Sequence, residues 1–177
     1  AVGFAGHSQG GWLGPLAGHL WAPTAFVISS AGPAVPPSRE TQWPVIRAMR
    51  IAGANADDEA TARKLFDLWH DGLRSGDWGA FDEAFAGAED QSWFDSSGIA
   101  WLGERPAGDH VRTYLAMMDY DPIPALKGLE APMLALLSPD DESIDAVETE
   151  EILRELAETG RNIEIKTYPG YNHAMRL

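Results

Sequence analysis

The sequence predicts an α/β fold of about four parallel strands with helices between them, and a helical insertion after the second strand. Three observations predict it. Short apolar runs at 1–5, 24–32, 132–137 and 162–168 have the length of strands. Helical patterns lie between the first and second runs and between the third and fourth. From 38 to 120 the strand pattern gives way to helical pieces rich in aromatics. Strand, helix, strand in this order implies a parallel pair joined by a right-handed crossover.

Each element has its own signal. Residues 1–5 read as a buried strand, and 9–22 as a helix with Trp12, Leu13, Leu16, Leu20 and Trp21 on its inward side. TAFVISSAG, 24–32, is the second strand, closed by Gly32 and the structure-breaking PAVPPS. Within the insertion, Ser38 to Ala54 forms one candidate helix disturbed by Pro44. A capping pattern at 57–60 starts a second, with Leu65, Phe66, Leu68, Trp69 and Leu73 as its apolar stripe. A third carries Trp78, Phe81 and Phe85. The fourth runs from Asp109 to Met118 with Val111, Tyr114, Leu115 and Met118 inward. The third strand, 132–137, is followed by a helix over 145–159 and by a fourth strand whose Ile163, Ile165 and Thr167 alternate. These boundaries divide the chain into a core, 1–37 with 121–177, and an insertion, 38–120.

Composition bounds the function. With 177 residues, 45% hydrophobic and 23% charged, the chain has a globular composition and room for a sizeable core. A net charge of -14 argues against a nucleic-acid surface and against attraction to anionic membranes, and no transmembrane run is present. The acidic stretch 140–158 reads largely as the solvated face of a helix. Without cysteine there are no disulfides, thiolate nucleophiles or cysteine metal sites, and the compartment stays open. No metal-ligand spacing or phosphate loop is visible, so no cofactor or metal is expected.

The chemistry concentrates at strand ends. GHSQG, Gly6 to Gly10, has the spacing GxSxG between an apolar strand and a helix. A serine on such a turn sits in strained backbone, and Gly6 and Gly10 are expected to supply the space for strand and helix to close up. Ser8 then projects from the carboxyl end of a strand, and the backbone N–H of Gln9 at the helix start is an oxyanion donor. A serine hydroxyl needs a positioned base. The third strand runs into Ser138-Pro139-Asp140-Asp141-Glu142 and the fourth into Tyr168-Pro169-Gly170-Tyr171-Asn172-His173. In an open parallel sheet the groups past the carboxyl ends share one rim.

The elbow GHSQGG, the segment PMLALLSPDDESID and the stretch YPGYNHAM, in the order serine, acid, histidine, resemble the nucleophile, acid and base segments of serine esterases of the α/β-hydrolase superfamily. The likeness is to the capped bacterial esterase and peptidase-like branch, to which YDPIPALKGLEAPMLAL is also similar. The resemblance implies Ser8 as nucleophile, His173 as general base and then acid, and Asp141 as the residue orienting it, with Asp140 and Asp145 as alternative acids. It implies a helical cap over 38–120 and cleavage of small-molecule carboxylic esters of small or medium acyl chain. A peptidase or amidase is the rival within the class. From another class, the chain is an inactive hydrolase remnant that binds an apolar ligand or a partner chain.

Other residues divide between chemistry and packing. His7 is a candidate for shaping the substrate pocket, against a structural role beside the elbow. Trp93, Phe94 and Trp101 are candidates for an acyl pocket, against cap core. His19, His70 and His110 read as surface or packing histidines. By the resemblance the elbow follows the fifth strand of about eight, so the sequence reads as a truncated α/β-hydrolase fold lacking its first half and the loop that gives a second oxyanion N–H. The first strand is then an open edge and one sheet face is bare, which predicts a homo-oligomer formed through either.

Overall fold

A computed structural model of the chain describes residues 1–106 and 108–177. Four strands, β1 (Phe4–His7), β2 (Val27–Ser30), β3 (Met133–Leu137) and β4 (Ile163–Thr167), form one parallel sheet in the order β1-β2-β3-β4. The predicted four-stranded parallel sheet is present; β1 starts and ends later than the predicted 1–5, and the other three strands are shorter than predicted. Helix α1 (Gly10–Leu20) joins β1 to β2. Between β2 and β3 come α2 (Pro37–Glu40), α3 (Trp43–Ile51), α4 (Ala56–Ser75), α5 (Gly79–Ala88), α6 (Phe94–Ser97), a 3-10 turn at Ile99–Gly103, α7 (Asp109–Met118) and α8 (Ile123–Gly128). Helix α9 (Ala146–Glu158) joins β3 to β4. The chain divides into two compact units, Ala1–Glu40 with Tyr120–Leu177, and Thr41–Asp119.

In the first unit the strand register sorts the side chains by face. Val27 pairs with Met133 and Met133 with Ile163; these residues with Ala135, Leu137 and Ile165 join Leu153 and Leu156 of α9 in the core. The alternating set, Ala5, Ile28, Leu134 and Leu136, is half-buried or exposed, and none of it belongs to that core. Asp145 caps α9, its carboxylate accepting from Glu148 N–H at 3.0 Å.

Helix α1 differs from expectation. Its buried residues are Gly11, Trp12, Gly14, Pro15 and Gly18, while Leu13 and Leu20 are 63% and 74% exposed and Trp21 is 41% exposed. Of the predicted inward set Trp12 is buried and Leu16 partly so, whereas Leu13, Leu20 and Trp21 miss because this helix packs by backbone approach. A Cβ on Gly18 would come 2.8 Å from Leu129 and 2.9 Å from Val27, and one on Gly32 would come 2.5 Å from the Cα of Gly11. Glycine brings α1 close enough for its partners' side chains to fill the seam. Trp12, on the same side, donates its indole N–H to Val35 C=O at 2.9 Å.

The second unit has its own core of Val45, Ile46, Met49, Leu65, Phe66, Trp69, Leu73, Phe81, Trp93, Phe94, Ile99 and Leu102. The predicted helix over 38–54 is two, because Pro44 lies in the first turn of α3, where its missing N–H costs nothing. Helix α4 starts at a capping box of Asn55 and Asp58, two residues before the predicted one. The stripe Leu65, Phe66, Trp69 and Leu73 is buried as the spacing predicts, and α7 has the predicted bounds. His70 is a packing histidine, 3% exposed, with Nε2 3.2 Å from the Tyr114 hydroxyl. Burial, helped by Arg74, pushes its pKa down to about 4 against the opposing pull of Asp119 and Asp71, so the ring is neutral at physiological pH.

Candidate active site

Strand β1 ends at His7 and the chain turns sharply at Ser8, whose φ is 55°. For a residue with a Cβ this left-handed backbone costs of order 1–3 kcal/mol and persists only where its surroundings enforce it. Two backbone bonds do so here: Ser8 N–H donates to Ser30 C=O at 3.0 Å, and Ser8 C=O accepts from Gly11 N–H at 2.7 Å. A Cβ on Gly6 would fall on the carbonyl of Gly10, 2.5 Å from its carbon, so Gly6 is required to be bare. A Cβ on Gly10 would meet nothing within 4 Å, which corrects the expectation that both flanking glycines are sterically required. The second constrained position is Gly11, where a Cβ would strike the Cα of Gly32.

The turn leaves Ser8 Oγ facing the segment after β4. His173 Nε2 lies 3.0 Å from Ser8 Oγ, and His173 Nδ1 lies 2.9 and 3.0 Å from the two carboxylate oxygens of Asp141. An ionised carboxylate only accepts, so Nδ1 carries the proton and Nε2 is free to accept from the serine hydroxyl. The Asp141 side chain is fully buried, and its Oδ1 also accepts from the N–H groups of Ser143 and Ile144 at 2.8 and 3.1 Å. These bonds fix the carboxylate from behind while the imidazole meets it from the front.

Of the three candidate acids, the structure brings Asp141 to the histidine. Asp140 accepts from Gly170 N–H at 2.7 Å, and Asp145 is occupied as the cap of α9. His7 is exposed, with its ring 5.0 Å from that of His173 and its Nδ1 3.5 Å from Ser30 Oγ. Gln9 occupies the cap of α1, and among the described residues nothing accepts from its backbone N–H. Trp93, Phe94 and Trp101 belong to the second unit; the first two are 3% and 6% exposed in its core, and Trp101 is 38% exposed.

Sequence reasoning missed Glu40 and Glu142. Burial raises the Glu40 carboxyl to about 7, against the lowering effect of His173 and with a further upward push from Asp141. Glu142 accepts from the backbone N–H of His173 at 3.0 Å. Neither stands out in the sequence, since one falls in an apparent insertion helix and the other in an acidic run. Among the described residues no group of three or more His, Asp or Glu side chains could hold a metal ion, and no helix is long and apolar enough to cross a membrane.

The chain matches no protein-family model and no curated protein. Solved structures to which it is similar include the acylaminoacyl peptidase of Pyrococcus horikoshii, at 16% identity and a TM-score of 0.46 over 97% of this chain and 19% of that one. A puromycin-hydrolyzing peptidase of Mycobacterium tuberculosis matches at 15% identity and a TM-score of 0.44, over 96% of this chain and 18% of that one. An esterase of Pyrobaculum calidifontis matches at 16% identity and a TM-score of 0.47, over 97% and 44%. The chain thus spans less than half the length of each.

Proposed function

We propose that the chain is a serine hydrolase of α/β-hydrolase architecture that cleaves carboxylic esters of small or medium acyl chain through an acyl-enzyme on Ser8. The observation that carries this reading is the continuous relay Ser8 Oγ, His173 Nε2, His173 Nδ1, Asp141, with gaps of 3.0 and 2.9 Å, built on a serine held at positive φ. In the reaction Ser8 Oγ attacks the ester carbonyl carbon while His173 Nε2 takes the hydroxyl proton. The tetrahedral oxyanion accepts from Gln9 N–H. As it collapses, the C–O bond to the alcohol breaks and His173 returns the proton to the leaving oxygen. Water, deprotonated by His173, then releases the acid and regenerates Ser8. Asp141 holds the imidazole tautomer and stabilises its cation.

In this reading residues 1–37 and 121–177 are the hydrolase core and 38–120 its cap. His7 borders the site; Trp93 and Phe94 are buried in the second unit's core, and Trp101 is part-exposed on that unit. Acyl transfer to Ser8 requires departure of the leaving group as the oxyanion held by Gln9 N–H collapses. That requirement ranks amides, with their poorer leaving groups, below esters. The part-exposed apolar side chains of Ile28, Leu134 and Leu136 support self-association.

Fluorophosphonate labelling read by intact mass tests the reading. One adduct on the unmodified chain and none on Ser8→Ala is expected; a folded chain that takes no adduct would move it to the inactive, ligand-binding class.

A further inference from the structure

The segment that carries His173 has only a short stretch of chain between the end of β4 and the histidine, and its backbone is held largely from the loop after β3. Tyr168 N–H donates to Leu137 C=O at 2.8 Å, which continues the sheet by one bond. Beyond that point the segment makes local turn bonds of its own, Tyr171 N–H to Tyr168 C=O and Asn172 N–H to Arg176 C=O, and its tie to the loop after β3 passes to side chains. Ser138 Oγ donates to Tyr171 C=O at 2.6 Å, Asp140 accepts from Gly170 N–H at 2.7 Å, and Glu142 Oε2 accepts from the N–H of His173 itself at 3.0 Å. The same residue is thus held twice by neighbouring carboxylates, at its ring by Asp141 and at its backbone by Glu142.

A solvated acidic run has no reason to direct successive members at one histidine. We infer that Glu142 is a positioning residue: its carboxylate sets the place of the His173 backbone so that one imidazole spans Ser8 and Asp141 at once. Both ring nitrogens are committed at 3.0 and 2.9 Å, so the ring cannot compensate for a displaced Cα without lengthening one of the two bonds. Charge strengthens the device, because a carboxylate accepts an N–H more tightly than a neutral oxygen does. The inference rests on the reading of Ser8 and His173 as nucleophile and base.

The test compares Glu142→Ala and Glu142→Gln by the rate of fluorophosphonate labelling at Ser8 and by the proton resonance of His173 Nδ1–H. Glu142→Ala removes the acceptor and is expected to slow labelling about ten- to a hundredfold, the loss that a misplacement near 1 Å produces. Glu142→Gln keeps an amide oxygen that can accept and recovers most of the rate. The Nδ1 proton signal moves in the alanine variant and stays near its original position in the glutamine variant. Equal labelling by Glu142→Ala and the unmodified chain overturns the inference, and so does an Nδ1 signal that alanine leaves in place. If the unmodified chain takes no label, the hydrolase reading fails, and the resonance alone still decides whether Glu142 positions the ring.

Discussion

The carboxyl rim of the sheet and the sheet's second face solve opposite problems. At the rim, Ser8, Ser138, Asp140, Asp141, Glu142 and His173 each have a hydrogen-bond partner within the first unit. On the second face, Ile28, Leu134 and Leu136 lie outside the unit's core and remain part-exposed. The difference follows from the forces involved. Hydrogen bonds are short and directional, so a few loop residues can close a polar site locally. Hydrophobic burial is roughly proportional to area, so a face of this kind is satisfied only by another surface of similar extent.

The largest effect is expected at Gly6, a steric requirement of the rim. Gly6→Ala puts a methyl group into the carbonyl of Gly10 and forces strand and helix apart, at a cost of about 3 kcal/mol. Denaturant unfolding would read it, with Gly10→Ala as the contrast, since a Cβ there meets nothing within 4 Å. Similar losses in both variants would mean that the elbow tolerates displacement and that the rim is less closely determined than its geometry states.

An intermediate effect belongs to the face. Replacing Leu134 and Leu136 together by serine removes apolar surface without touching the core, so the proposed self-association should weaken by about ten- to a hundredfold while unfolding stability changes little. Light scattering at micromolar protein measures it. A single-chain mass for the unmodified protein would break the comparison from this side, by showing that the face stays uncovered in solution.

The smallest effect sharpens the account of the rim, because Glu40 is the rim group whose charge is disfavoured. Its folded-state pKa, raised from 4.5 to about 7 chiefly by burial, means that the folded chain holds this proton more tightly than the unfolded chain does. Stability associated with the protonated carboxyl is therefore full below 4.5 and is lost as pH rises through about 7. Glu40→Gln should match the unmodified chain at pH 4 and exceed it in urea midpoint at pH 8. Parallel pH profiles for the two proteins would show that Glu40 ionises as freely folded as unfolded.

Legibility in the sequence followed the same division. Ser8 and His173 could be read because strand-end chemistry in a parallel sheet must converge on one rim, whatever the details of packing. Asp140, Asp141 and Asp145 could not be separated by spacing alone, because which of them reaches the imidazole depends on a turn in which Asp141 N–H donates to Ser138 C=O at 3.2 Å. Glu142 was invisible because its partner is a backbone N–H, which no sequence pattern marks. The inward face of α1 was misread for a different reason: counting leucines locates bulk, whereas this helix is seated by the absence of bulk at Gly11, Gly14 and Gly18. In α4, where large side chains do the packing, the same periodicity reading succeeded.

The glycine seam beneath α1 has a mechanical consequence. Where glycine meets glycine, at Gly11 and Gly32, backbone lies on backbone with the Ser29 hydroxyl beside it, so the contact has little room to yield. The head of α1 and the serine turn next to it are therefore seated on backbone rather than on a layer of large side chains. Any residue larger than glycine at Gly11 or Gly32 would press the head of α1 off its seat and carry the Ser8 turn with it.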